Sequence, residues 1–295
     1  MADAAKNNKW LGYSLYVVLV GLLLLYYLFP AQAVEDLIDS SVSRVHPSFG
    51  FKAEKIRPWL PPGLRISNGT VYLGESTGPA VFKTDRLYVK PSILKLFSGK
   101  YSLQFSGTAY RSDIKGSLHL DAEKGATLES ELFFENLDLG AYEILTEKLQ
   151  HRLTGMFSGS VFYTRGSANT SGNGKADLRL TAGQLVFENP VFGISSIDLQ
   201  NIDLEMELRN RNITIIKGGM TGPEMNGSLA GSIQLQPDVN NSQLNLKGTL
   251  EPLAEFYRKY PEIRELLKTM NKRVKRGQYF FTITGTLSQP RFRML

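Results

Sequence analysis

The chain has 295 residues, with 34 Lys and Arg against 28 Asp and Glu, a formal net charge of +6, 42% hydrophobic residues and no cysteine. This is the hydrophobic content of a globular chain with a core to bury. The lack of cysteine excludes disulfides, thiolate metal sites and a cysteine nucleophile.

At the N-terminus no charged side chain occurs between Lys9 and Glu35. A membrane-crossing helix needs about 20 apolar residues, whereas the apolar core of a cleavable signal is usually about 7 to 15. Trp10 to Phe29 therefore reads as a retained anchor, although Ala31-Gln32-Ala33 also fits a cleavage site. Lys6 and Lys9 ahead of the segment keep the N-terminus cytoplasmic, and Trp10, Tyr13, Tyr26 and Tyr27 sit where interfacial aromatics do. The expected layout is a cytoplasmic tail at 1–9, a transmembrane anchor at 10–30 and a linker at 31–63. Within that linker, 34–45 forms a short helix, and Pro47, Pro58, Pro61 and Pro62 keep the chain extended or turned.

Regular structure is expected from Leu64 onward. Period-two alternation marks Tyr101–Phe105, Ser117–Leu120, Leu178–Leu180, Ile202–Leu208, Asn212–Ile215, Leu229–Leu235 and Leu244–Leu246. With Gly, Asn, Pro and Ser between them, these read as antiparallel strands with one apolar and one wet face. The fold class is mainly β with a few helices.

The chain also echoes itself. Leu64-Arg-Ile-Ser-Asn-Gly-Thr-Val-Tyr-Leu73 matches Leu178-Arg-Leu-Thr-Ala-Gly-Gln-Leu-Val-Phe187; Lys100–Gly107 then matches Asn212–Gly219, and Lys115–Leu118 matches Asn226–Leu229. Each half reaches a helical stretch, Leu139–Leu153 and Pro252–Arg276, before an aromatic strand at Met156–Tyr163 or Gln278–Thr284. Two repeated strand-plus-helix units are expected, at 64–163 and 164–295. Such a run of strands has to close, stack or be covered. An elongated, curved antiparallel sheet over a long apolar groove satisfies this, the groove being either packed with side chains or open to acyl chains. Its candidate face is Tyr101, Leu103, Phe105, Ile202, Leu204, Met206, Leu208, Ile213 and Ile215.

Catalytic signatures are missing. His46, His119 and His151 are far apart, and His119 alternates with Leu118 and Leu120 on a wet strand face. Gly172-Asn-Gly-Lys175 lacks the Ser or Thr and the first Gly of a phosphate loop, and reads as a turn. No nucleophile elbow or zinc-protease motif occurs, so no enzyme, cofactor or metal is expected. Basic residues are not interleaved with aromatics along one element, which argues against nucleic acid. The dense run Lys268, Lys272, Arg273, Lys275 and Arg276 reads as a solvated helix end or a contact for anionic headgroups. Asn-x-Ser/Thr sequons at Asn68, Asn169, Asn212, Asn226 and Asn240 carry meaning only in a eukaryotic secretory host.

The N-terminal anchor, Leu64-Arg-Ile-Ser-Asn-Gly-Thr-Val71, Leu87-Tyr-Val-Lys-Pro-Ser-Ile-Leu-Lys-Leu-Phe-Ser-Gly99 and Gly285-Thr-Leu-Ser-Gln-Pro-Arg-Phe292 resemble the AsmA-like superfamily. In length and two-unit layout the chain is most similar to the protein N family of bacterial type II secretion systems. The resemblance implies an inner-membrane protein with its bulk in the periplasm, an accessory in assembly or support of the secretion complex. Its partners would be the membrane and other secretion subunits, with phospholipid as a candidate ligand. The alternative is a lipid-binding or lipid-transfer role. No functional residue carries over, since the family has no catalytic motif.

Overall fold

The computed structural model describes residues 3–45, 49–59, 63–73, 78, 80–92, 100–121, 127–142, 151–166, 172–191, 193–263 and 277–295. They form two compact units, Met1–Lys90 and Pro91–Leu295. Most of the described chain is antiparallel strand, with few helices.

The first unit opens with α1 (Asp3–Tyr27) and α2 (Ala31–Val45), followed by β1 (Phe49–Trp59), β2 (Gly63–Leu73) and β3 (Ala80–Pro91). Among the described residues no helix is long and apolar enough to cross a membrane. The expected anchor at 10–30 is cut short because the helix stops at Tyr27 and Pro30 precedes a new one. The uncharged part, Trp10–Tyr27, is then about 27 Å long at the helical rise, and Gly12, Tyr13, Ser14 and Tyr16 dilute it. The short helix expected at 34–45 is α2 (Ala31–Val45), whereas the start of regular structure at Leu64 is corrected: β1 precedes it, with Pro58 near its end.

β1 ends one side of the unit's three-stranded meander, and an outermost strand leaves every second N–H and C=O unpaired. Helix α2 satisfies three of them. Asp39 Oδ1 accepts from Phe51 N (2.6 Å), Glu35 Oε1 accepts from Ala53 N (2.9 Å), and Ser43 Oγ donates to Phe49 O (2.9 Å). Residues 35, 39 and 43 lie one helical turn apart, about 6 Å, and residues 53, 51 and 49 lie about 6.7 Å apart. The two periods match, so one helix face acts in place of a neighbouring strand.

The second unit is a meander of eleven strands, each antiparallel to its chain neighbour: β4 (Lys100–Ala109), β5 (Ser112–Asp121), β6 (Thr127–Asp138), β7 (His151–Arg165), β8 (Asn173–Val191), β9 (Ile194–Arg209), β10 (Asn212–Thr221), β11 (Met225–Gln234), β12 (Gln243–Pro252), β13 (Tyr279–Thr286) and β14 (Pro290–Met294). All seven alternating segments picked out in this part of the sequence fall in these strands, apart from Leu235, one residue past β11. Gly172-Asn-Gly-Lys175 is not a turn: Asn173 to Lys175 begin β8. Of the helix expected over Leu139–Leu153, the described residues show a 3-10 turn at Leu139–Ala141 and the start of β7, where Leu153 packs beside Leu185 and Leu180. Residues 143–150 of that helix lie outside the described residues. In the second stretch helix α3 covers Ala254–Lys259; the basic run at 268–276 lies outside the described residues, as do His46 and Asn169.

Candidate functional site

Cross-strand partners project to the same side of a sheet, so the registers define the two faces of the second unit. One row runs Phe105, Gly116, Leu132, Val161, Ala176, Met206, Ile215, Gly231, Leu246, Ile283 and Phe292. It crosses all eleven strands without a polar side chain. One residue along, the row is Gln104, Ser117, Glu131, Phe162, Lys175, Glu207, Thr214, Ser232, Asn245, Thr284 and Arg291. Apart from Phe162 this second row is polar.

The nine residues expected to share an apolar face do share one. Leu103 and Phe105 are linked through β5 to β8 with Leu208 and Met206, and these pair with Ile213 and Ile215. Tyr101, Ile202 and Leu204 alternate with them on the same strands. Ile216 follows Ile215 in sequence but sits at a register shift between Ile215 and Lys217, and it is 52% exposed. This β-bulge absorbs one residue, so Gly218 and Met220 return to the apolar side opposite Leu204 and Ile202. The sequence-derived face was incomplete: Leu118, Leu132, Val161, Leu246, Ile283 and Phe292 belong to it. Each alternates with polar neighbours, but only the register joins them to the rest.

Among the described residues the face is covered at one end only. There α3 sets Phe256, 2% exposed, against Met225 and Ile263, with Leu250, Met220 and Ile197 around them. Beside this cluster Lys259 Nζ donates to the buried carboxylate of Glu224 (2.5 Å), and Tyr260 OH donates to Ser196 O (2.9 Å). The hydrogen bond to Glu224 raises the Lys259 ammonium above its ordinary pKa. In the middle, Ile215, Leu244 and Leu246 are buried among Leu204, Met206, Leu229, Ile233 and Ile283, all on the sheet itself. No described element is layered over this part, and Tyr101, Leu103 and Phe292 are 50%, 36% and 58% exposed. Phe105 lies over Gly116 and Phe281 over Gly248, closely enough that a Cβ at either glycine would meet the ring.

The opposite face is a solvated charge ladder. Arg179 Nε donates to Asp203 Oδ1 (2.6 Å), and Lys175 and Arg209 flank Glu207 at 3.5 and 2.9 Å. Hydrogen bonds from Arg179 and from Arg209 hold Asp203 and Glu207 below the usual carboxylate range. His119 stands on this polar side, paired with Ser102 and Glu129. No cluster of three or more potential metal-ligating side chains occurs among the described residues.

In comparisons with protein families, curated proteins and solved structures, nothing matches the chain.

Proposed function

We propose that this chain is a non-enzymatic, membrane-tethered protein of the bacterial envelope, of the AsmA-like kind, whose second unit receives acyl chains on its apolar sheet face. One observation carries the reading: an uninterrupted apolar row across eleven strands, with no described element over its middle. The exposed apolar side chains along this face, Tyr101, Leu103 and Phe292, mark a binding surface. Tethering rests on α1, where Leu15, Val17, Val18, Leu19, Leu23 and Leu24 are more than half exposed. An apolar helix somewhat shorter than the hydrocarbon core is accommodated by local thinning and by snorkelling of its flanks; here the flanks are Lys6 and Lys9. The N-terminus would then face the cytoplasm and both units the periplasm.

A two-copy layout is supported by a shared backbone device. Asn68 (φ 48) and Ala182 (φ 49) are left-handed inside strands, each two residues after a buried aliphatic, Ile66 or Leu180, and each followed by a glycine. They are equivalent positions in the Leu64 and Leu178 echo.

The direct test is to purify the full chain in mild detergent, offer a fluorescent phospholipid and compare Tyr101→Glu, Leu103→Glu and Phe292→Glu, exposed positions whose substitution leaves the packed clusters intact. Saturable binding that each variant weakens supports the proposal. Binding no greater than to an unrelated single-anchor protein would sink it.

A second reading, an assembly subunit of a type II secretion complex, is favoured by β14. Among the described residues its outer edge has no partner, and such an edge invites strand addition. Met294→Pro, placed to block that edge, should then release co-purifying secretion subunits while leaving lipid binding unchanged.

A further inference from the structure

The first unit carries a second surface, on its three-stranded sheet. Arg57 pairs directly with Arg65, and Arg65 with Tyr88; Lys55 is joined through Ser67 to Arg86, and Trp59 through Gly63 is one step from Lys90. Residues in register project to one side, so five cations and two aromatic rings share this face. Two contacts fix the arrangement: Arg65 lies over the Tyr88 ring at 5.9 Å and Lys90 over the Trp59 ring at 4.7 Å. The rings themselves pack at 5.1 Å.

Charge on this face is unbalanced. The strand carboxylates Glu54 and Asp85 occupy the alternate positions, and Glu54 accepts from Asn68 on the opposite side. The carboxylates of Glu35 and Asp39 are engaged with the backbone N–H groups of Ala53 and Phe51. Among the described residues none of the five cations has an ion pair, and Arg65 Nε is buried without a hydrogen-bond partner. Like charges placed directly opposite across a strand pair are destabilising. A fold that keeps Arg57 against Arg65, and buries a guanidinium N–H with no hydrogen-bond partner, is matched in charge and donors by an anion with several acceptor oxygens.

We propose that this face is a binding site for a phosphate-class anion, held by Arg57, Arg65 and Lys90 with Lys55 and Arg86 at its margin. The guanidinium fork suits the tetrahedral oxygens of phosphate, and stacking on Tyr88 and Trp59 holds Arg65 and Lys90 in place. Both a phospholipid headgroup and free phosphate present this chemistry. The interleaved Trp and Tyr are the residues that settle at a membrane interface.

The sequence supplies its own reporter, because Trp10 and Trp59 are the two tryptophans. In full-length Trp10→Phe protein, held in phosphatidylcholine nanodiscs, Trp59 emission is followed while either inorganic phosphate or phosphatidylglycerol vesicles are added. A saturable change with phosphatidylglycerol alone assigns a headgroup site, and one with inorganic phosphate as well assigns a site for free phosphate; either supports the proposal. Arg57→Gln and Lys90→Gln should each weaken the response about fivefold, from about 1 kcal/mol per cation near an anionic surface, and the exposed pair Lys55→Gln and Arg86→Gln gives the same reading if a central variant fails to fold. Lys175→Gln, on the second unit, should leave it unchanged. No change with either probe overturns the site. So does an equal response to phosphatidylcholine vesicles, which would mean that the rings enter lipid without an anion, or an equal response in the Arg57→Gln and Lys90→Gln proteins. The readout is independent of acyl binding to the second unit, so the two proposals fail separately.

Discussion

Replacing Glu35 and Asp39 together by Ala tests whether α2 works as a substitute strand. The change removes the acceptors of the Phe51 and Ala53 amides and deletes no buried apolar group. A hydrogen bond to a charged group is worth about 1.5–3 kcal/mol. These two are part-buried, so water replaces some of that, and about 1–2 kcal/mol each is expected, or about 3 kcal/mol for the pair. Hydrogen exchange resolves the effect by position: the Phe51 and Ala53 amides should exchange on the order of 100-fold faster, since each 1.4 kcal/mol is about tenfold. The amide of Lys52 lies between them and points inward toward β2, so its rate should change little. Faster exchange at Lys52 by the same factor would mean global loosening, and unchanged exchange at Phe51 and Ala53 would mean that the contacts contribute nothing. Either result refutes the reasoning. The bared edge should also make the variant self-associate, seen as a larger species in analytical ultracentrifugation.

Gly248→Ala should destabilise the second unit by about 1–3 kcal/mol in urea melts, because its Cβ would sit 2.3 Å from the Phe281 ring and 2.5 Å from Ser228 O; Gly219→Ala, which meets open space, should cost far less. Ala182→Gly should stabilise by about 1 kcal/mol, since a left-handed conformation costs an L-residue about 1–2 kcal/mol; Asn68→Ala should destabilise, and thermal melts showing the opposite order would dismiss the shared device. Asp203 and Glu207 titrate below their unfolded values, so their contribution is present above about pH 4 to 4.5 and is lost as pH falls further, through the folded pKa. Chemical shifts on β8–β10 should move in that acid range, and Arg179→Gln should bring the Asp203 transition to higher pH.

The strands were legible because one side of the sheet is dry and the other wet, which stamps a period of two on Leu229–Leu235 and Ile202–Leu208 alike. The face was legible only in fragments. Leu246 and Phe292 join Phe105 through eight and ten cross-strand steps, and no spacing along the chain encodes those steps. Ile216 shows the limit sharply: by alternation Ile213 and Ile215 face inward, but the bulge that puts Ile216 outside is a property of two strands and not of one. The helix expected at Leu139–Leu153 was carried too far at its end for a related reason, since His151–Leu153 belong to β7 and Leu153 is paired with Leu185 and packed in a cluster that rewards an extended backbone over its helical propensity. The linker assignment failed at β1 because Lys52, Glu54 and Lys55 interrupt its apolar signal. The anchor was read by counting uncharged residues through Pro30, whereas the helix stops at Tyr27.

The composition of the apolar face dictates what it could discriminate. From Phe105 to Phe292 the row has no charge and no hydrogen-bonding side chain, and three of its eleven positions are Gly116, Ala176 and Gly231. Such a surface gains free energy from apolar area at about 25 cal/mol per Å² and offers nothing that distinguishes one polar headgroup from another. Binding of phospholipids with identical acyl chains should therefore be independent of headgroup, with phosphatidylcholine and phosphatidylglycerol dissociation constants agreeing within about twofold in competition against a fluorescent lipid. Lengthening the chains should tighten both together, by up to about 0.8 kcal/mol for each additional methylene that the face covers. Arg165 lies in register with Leu128 at the margin of the apolar side, while Lys175, Arg179, Lys217 and Lys247 lie on the other, so a strong preference for the anionic lipid that survives Arg57→Gln, Lys90→Gln and Arg165→Gln would contradict this.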